Sequence, residues 1–189
     1  CPVIKKVSIK YKPKIIDRPK KIQNPNTLTE DVLQHAHRYI VKKEGGIKNI
    51  EFYVLLYANG GFLNSSLLKK AIYKLKKNKK FDSCVGLINA DMFTPIRAKI
   101  INKKKEIKPF VNLKYFKNIT SNRDSVGSAY FMDLSLQIIK PYCFEKMSGN
   151  QKPFLWLGNK ILPFKKEFGG DIDDKWQFTL LQDWLSKNF

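Results

Sequence analysis

Between Thr27 and Asn89 the chain alternates between helical and strand patterns, and this alternation constrains the fold more than any other feature. Val32, Leu33, Ala36, Tyr39 and Ile40 recur at helical spacing, and Thr27 with Glu30 three residues on has the form of a capping box. Gly45-Gly46 stops that helix. Ile50 to Ala58 is an apolar run rich in β-formers, of the kind that makes a strand buried on both faces. After Asn59-Gly60-Gly61 a second helix is predicted, with Asn64, Ser65 or Ser66 as its cap and Leu67, Leu68, Ala71, Ile72 and Leu75 as its apolar stripe. Ser83 to Asn89 reads as another short strand. Such alternation implies an α/β domain with a largely parallel sheet. Ligands of such sheets sit at the carboxyl ends of the strands, which makes the loop at Asn59 to Leu63 a candidate site wall.

The flanking segments are less regular. Residues 1–26 carry short β-like patches (Val7 to Ile9, Lys14 to Asp17) broken at Pro13, Pro19 and Pro25. Ile96 to Ile101 reads as a strand before a turn at Asn102 to Lys105. The aromatic, polar stretch Lys108 to Ser128 has the character of an excursion from the sheet. Ser128 to Asp133 is predicted as a strand, Leu134 to Lys140 as a short helix or strand, Gly149 to Asn159 as a Trp-bearing loop, and Ile161 to Phe168 as a final strand. A helix capped by Asp174 closes the chain, with Trp176, Leu180, Leu181, Trp184 and Leu185 as its buried face.

Composition narrows the function classes. With 189 residues, 43% hydrophobic and 13% aromatic, the chain has the length of one domain and the means to fill a core. The longest apolar run, Phe52 to Ala58, is far below the roughly 18 residues of a membrane span, and the first residues lack a signal-peptide core. The formal charge of +20 invites a nucleic-acid reading. Only four of the 36 cations are arginine, however (Arg18, Arg38, Arg97, Arg123), and phosphate and base recognition favours arginine's bidentate fork. The lysines are also spread along the chain, so the charge reads as a lysine-coated surface. Cys1, Cys84 and Cys143 are far apart and form no CxxC pair, so neither a zinc site nor a disulfide framework is expected and a reduced, cytoplasmic setting is the default. His35 and His37, two apart on a helix, point away from one another and cannot share a metal. One should be half-buried and the other solvated.

The residues with most to say about chemistry are Gly169-Gly170-Asp171-Ile172-Asp173-Asp174. In an extended segment Asp171 and Asp173 point the same way while Ile172 points into the core, so two carboxylates converge in front of the sheet. The two glycines allow close approach of backbone or ligand. Such a pair suits Mg²⁺, which takes one or two carboxylates plus phosphate oxygens and water. The alternative is an acidic turn that caps the next helix, a role Asp174 fills alone.

The order of landmarks along the chain resembles a known family. Ile15-Ile16-Asp17-Arg18-Pro19, the Thr27 to Tyr39 helix, Tyr53 to Asn59, Phe81 to Val85, Pro95-Ile96-Arg97, Thr120 to Asp124, Gly127 to Tyr130 and Asp171-Ile172-Asp173 are similar to successive landmarks of the acylneuraminate cytidylyltransferases, over about residues 14–187. These enzymes make CMP-activated sialic and related nonulosonic acids. The resemblance implies a three-layer, mostly parallel, Rossmann-like nucleotidyltransferase sheet with a dimerisation excursion at about residues 106–127, and hence a homodimer. It implies a reaction in which the anomeric hydroxyl of a 2-keto sugar acid attacks the α-phosphate of CTP and expels pyrophosphate, with Mg²⁺ as cofactor and surface glycan synthesis as its setting. By the same resemblance Asp171 and Asp173 are the catalytic, metal-binding aspartates, Asn59 faces the sugar, and Arg123 reaches the sugar carboxylate bound to the partner subunit.

Two departures accompany the resemblance. The family opens with a strand and a glycine-rich loop that wraps the CTP triphosphate, whereas here no glycine precedes Gly45, so the chain, which begins at Cys1, is expected to be N-terminally incomplete and to lack that cofactor-binding loop. The loss should leave neighbouring strand edges exposed. In addition, Gly61-Phe62-Leu63 stands where the family has Pro, an aliphatic residue and Arg, and Val126 stands where it has Asn. The other functions to weigh against a cytidylyltransferase are a non-catalytic relative acting as a dimeric binding or scaffold protein, and a basic nucleic-acid binder.

Overall fold

The computed structural model describes residues 2–189, and their side chains except those of Pro2, Met92, Arg123 and Val126. Cys1 lies outside the described residues. The chain divides into two compact units, residues 1–53 with 140–158, and residues 54–139 with 159–189.

The first unit holds helices α1 (Pro2–Ile9) and α2 (Thr29–Lys43). Of the two predicted β-like patches, Val7 to Ile9 is helical and Lys14 to Asp17 is irregular chain. The N-terminal segment joins neither sheet, and a helix satisfies its backbone groups internally where a lone strand cannot. The capping box predicted at Thr27 does not form: α2 begins at Thr29 after Leu28, which supplies no side-chain cap. Asn26 and Thr27 are instead held in a turn on Asn24, whose Oδ1 accepts from the Asn26 amide at 3.0 Å and whose carbonyl accepts from the Thr27 amide at 3.2 Å. The two histidines are each more covered than predicted. His37 is buried, edge-on to Tyr53 and stacked on Phe144, while His35 is partly exposed, with Nε2 3.1 Å from the Asp17 carbonyl oxygen. Trp156 and Leu157, from a short 3-10 turn inside the predicted Trp-bearing loop, complete this core.

The second unit is built on a four-stranded sheet of β1 (Tyr53–Leu55), β2 (Ser83–Asn89), β5 (Tyr130–Ile139) and β6 (Ile161–Lys166), in the order β1-β5-β2-β6. This is the expected α/β class. The sheet is mixed, with β6 parallel to β2 and β5 antiparallel to it. Helix α3 (Ser65–Lys77) packs Ala71 and Leu75 onto β2 and β5, and Asn64 is its cap, with Oδ1 accepting from the Leu67 amide at 2.9 Å. β1 corrects one expectation. It is three residues long and lies at the sheet edge, so Val54 and Leu56 are 37% and 52% exposed, where a strand buried on both faces was predicted.

β5 carries the main irregularity of the sheet. Val85 pairs with Gln137 and Gly86 pairs with Asp133, so Leu134, Ser135 and Leu136 have no opposite residues on β2. This bulge explains why the sequence pattern breaks at Leu134. Gln137 Nε2 spans it by donating to the Leu134 carbonyl at 2.7 Å. Away from the sheet, β3 (Lys99–Ile101) and β4 (Ile107–Pro109) form an exposed hairpin at the start of the predicted excursion.

The chain closes with α4 (Lys175–Asn188), where the predicted Asp174 cap is part of a capping box with Gln177. Its buried face is narrower than predicted. Trp184 is buried against Phe62 and Leu181 is half-buried beside Gly61, whereas Trp176 and Leu180 are 64% and 54% exposed. The helix meets the loop after β1 along one side only, and the apolar residues beyond that contact face outward.

Candidate functional site

Two loops meet beyond the carboxyl ends of strands in the second unit. One runs from Leu56 to Asn64, between β1 and α3. The other runs from Glu167 to Asp174, between β6 and α4. The Ile172 amide donates to the Asn59 carbonyl at 2.9 Å, and Asn59 Nδ2 donates to Asp173 Oδ1 at 3.1 Å. Three of the four predicted site residues, Asn59, Asp171 and Asp173, are thus brought together. Arg123 lies in the turn Arg123–Val126, and its side chain falls outside the described residues.

The two aspartates differ in environment. Asp173 is exposed and already holds the Asn59 amide. Asp171 is half-buried, and its Oδ1 is buried with no hydrogen-bond partner. Burial, then the charges of Asp173 and Asp133, push the Asp171 carboxyl above its ordinary range. Among the described residues no three His, Cys, Asp or Glu side chains gather around a metal position. Two neighbouring carboxylates, one with an unpartnered oxygen, are the donor chemistry that a hard cation takes when water and substrate oxygens complete its shell.

Beneath these loops lies a charged cluster that the sequence reading did not single out. Lys166, at the end of β6, and Asp133 and Ser135, on the β5 bulge, have essentially fully buried side chains. Lys166 Nζ donates to Asp133 Oδ2, to Ser135 Oγ at 3.0 Å and to the Phe62 carbonyl at 2.6 Å. Asp133 Oδ1 accepts from the Ser135 amide at 3.1 Å and the Gly170 amide at 3.3 Å, while Oδ2 also accepts from Ser135 Oγ at 2.9 Å. Burial lowers the Lys166 pKa and the bond to Asp133 opposes that shift.

The glycines explain how the cluster fits. A Cβ on Gly169 would lie 2.6 Å from Asp133 Oδ2, one on Gly60 would lie 2.6 Å from Ser135 Cβ, and one on Gly86 would lie 2.9 Å from the Asp133 carbonyl oxygen. The close approach anticipated for Gly169-Gly170 is therefore made at Gly169, by a buried carboxylate of the protein itself, while Gly170 is needed for its positive φ of 115°. The Gly60 and Gly169 signals were present in the sequence, but their partner, two residues of an irregular strand, was not visible in any periodicity.

A solved structure shares this arrangement of elements: CMP:2-keto-3-deoxy-manno-octonic acid synthetase, complexed with CTP, is similar over 100% of this chain and 79% of its own, with a TM-score of 0.61 and 9% sequence identity. The chain is similar in fold to that synthetase. No protein-family profile and no curated protein sequence matches the chain. Within this fold, the Asn59 and Asp171 loops occupy the place expected of a ligand site, beyond the carboxyl ends of the strands.

Proposed function

We propose that the protein is a nucleotidyltransferase of the CMP-sugar synthetase type, which joins CTP to a sialic-type 2-keto sugar acid and releases pyrophosphate, supplying surface glycan synthesis from the cytoplasm. The observation that carries this reading is the meeting of Asn59 with Asp173, beside an Asp171 carboxylate whose buried oxygen has no partner. The similar fold of a synthetase solved with CTP supports the nucleotide half of the reading.

In the reaction, Asp171 and Asp173 hold Mg²⁺, which when bound supplies neutralisation of phosphate charge. Asn59 fixes the Asp173 carboxylate through Nδ2 and presents its loop to the sugar acid. Arg123 is assigned to the sugar carboxylate bound to a partner subunit. Chemistry of this type depends on positioning and charge neutralisation, and this pair of loops can provide both. The homodimer assigned here uses the excursion, where Ile107, Phe110 and Tyr115 are 70%, 64% and 83% exposed. Such apolar exposure is a feature of interaction surfaces. No helix among the described residues is long and apolar enough to cross a membrane.

The test is pyrophosphate release from CTP in the presence of Mg²⁺ and a panel of nonulosonic acids, using the complete gene product. Release that disappears in Asp173→Ala supports the assignment. No release with any 2-keto sugar acid removes the enzyme assignment and leaves a non-catalytic relative of the same fold. Sedimentation of the same protein as a monomer at micromolar concentration would remove the dimer.

A further inference from the structure

We infer that Asp133, Ser135 and Lys166 are positioning residues that lock the Asn59 loop to the Asp171 loop and so set the spacing of the site carboxylates. The ammonium of Lys166 has three protons, and each has a partner: Asp133 and Ser135 on the β5 bulge and the Phe62 carbonyl in the loop before α3. Asp133 is equally occupied, and one of its bonds holds the Gly170 amide next to Asp171. One end of the network thus grips the loop that carries Asn59, and the other grips the loop that carries Asp171 and Asp173.

Energetics favour a positioning role over a purely stabilising one. Burying a lysine and a carboxylate costs several kcal/mol per ion, and packed apolar side chains of similar volume often serve stability as well or better. What apolar side chains cannot do is fix a backbone carbonyl and a backbone amide in two separate loops at defined distances. A fully satisfied polar network does this, because any slippage leaves a buried charge without its partner. The glycines agree. Gly60 and Gly169 let the two loops settle directly onto Ser135 and Asp133, leaving no room for a side chain between loop and lock. The three-residue bulge of β5 brings Asp133 and Ser135 together on the same cluster.

The consequence for a metal rests on the function proposed above, but the lock itself does not. Two readouts separate them in Lys166→Met and Ser135→Ala: amide hydrogen exchange, and Mn²⁺ binding followed by electron paramagnetic resonance with the metal alone. In Lys166→Met, exchange at Gly170, Ile172 and Leu63 should accelerate about tenfold or more, while Cys84 and Val85 in the β2 ladder keep their protection. Mn²⁺ affinity should fall about tenfold, and Ser135→Ala should move both readouts the same way by about threefold.

Unchanged exchange at all three loop amides overturns the lock, and so does acceleration spread evenly through β2, which would mark ordinary destabilisation. If Lys166→Met does not fold, Ser135→Ala decides by the same criteria. Should the unmodified protein bind no Mn²⁺ while the variants loosen both loops, the metal assignment fails and the lock stands. If the loops loosen and Mn²⁺ affinity does not change, the lock does not position the carboxylates and that part of the inference is lost.

Discussion

Asn59 and Asp173 are 114 residues apart in sequence, and Asn59 Nδ2 donates to Asp173 Oδ1 at 3.1 Å. The bond leaves the second oxygen of Asp173 open to another partner. Replacing Asn59 by Ala removes the donor and lets the carboxylate rotate. Because the pair is exposed, the loss should be modest: Mn²⁺ affinity, measured by titration, is expected to fall about fivefold, corresponding to about 1 kcal/mol. Asn59→Asp should lose more, since a further negative charge then faces Asp173 before any cation arrives.

Asp171 yields a prediction whose sign depends on the metal. Its carboxyl pKa lies above the ordinary 3.8 in the folded protein, owing to burial and then to Asp173 and Asp133. The folded state thus holds this proton more tightly than the unfolded state, and stability falls as pH rises from 3.8 through the raised value. Asp171→Asn removes the penalty. In EDTA at pH 7 its Tm should exceed that of the unmodified protein, and added Mg²⁺ should stabilise the unmodified protein alone. A lower Tm in EDTA would contradict the strained-carboxylate reading.

His37 acts with the opposite sign. Its pKa lies below the ordinary 6.5 because burial disfavours the imidazolium, with Arg38 adding to the shift and Glu145 opposing it. The unfolded state takes up the proton first, so stability is fully present above pH 6.5 and is lost as pH falls from there through the folded value. Denaturant midpoints measured between pH 7.5 and 5 should decline, and the decline should be shallower in His37→Phe.

Two tryptophans of one helix should behave differently. Trp184 is buried against Phe62, with ring centroids 5.9 Å apart, whereas Trp176 is 64% exposed. Trp184→Ala should cost about 3–5 kcal/mol in urea unfolding, and Trp176→Ala should stay within about 0.5 kcal/mol. Equal losses would mean that α4 is seated differently.

Cys84 is fully buried, and burial pushes its thiol up to about 11. At pH 8 it is held almost wholly as the unreactive thiol. A thiol reagent followed by peptide mass analysis should leave Cys84 unlabelled in the native protein and label it at the unfolding rate in denaturant.

The elements that sequence made legible are those whose pattern is local. The α3 stripe with its Asn64 cap, the β2 strand from Ser83 to Asn89, and the Asp174 cap are each specified within a few residues, and each appears where expected. α1 and β1 were misread because tertiary context decides them. Whether Val7 to Ile9 forms a strand depends on having a sheet to join, and whether Val54 is covered depends on its position in the strand order. In the site, Asp171 and Asp173 could be singled out because two carboxylates flanking an apolar residue form a pattern. Lys166 could not, because one lysine among many carries no mark of being buried. Only the glycines facing Asp133 and Ser135 recorded that something occupied the space.

The bulge in β5 is an odd number of residues long, and the ladder resumes on either side of it, with Gly86 opposite Asp133 and Val85 opposite Gln137. Joining Asp133 directly to Gln137 would therefore keep each remaining β2 partner on its own face of the sheet. The same deletion would take away Ser135 and the fully buried side chain of Leu136 together. Three consecutive residues thus serve both the core of the sheet and the anchorage of the two loops, so neither can be altered there without the other.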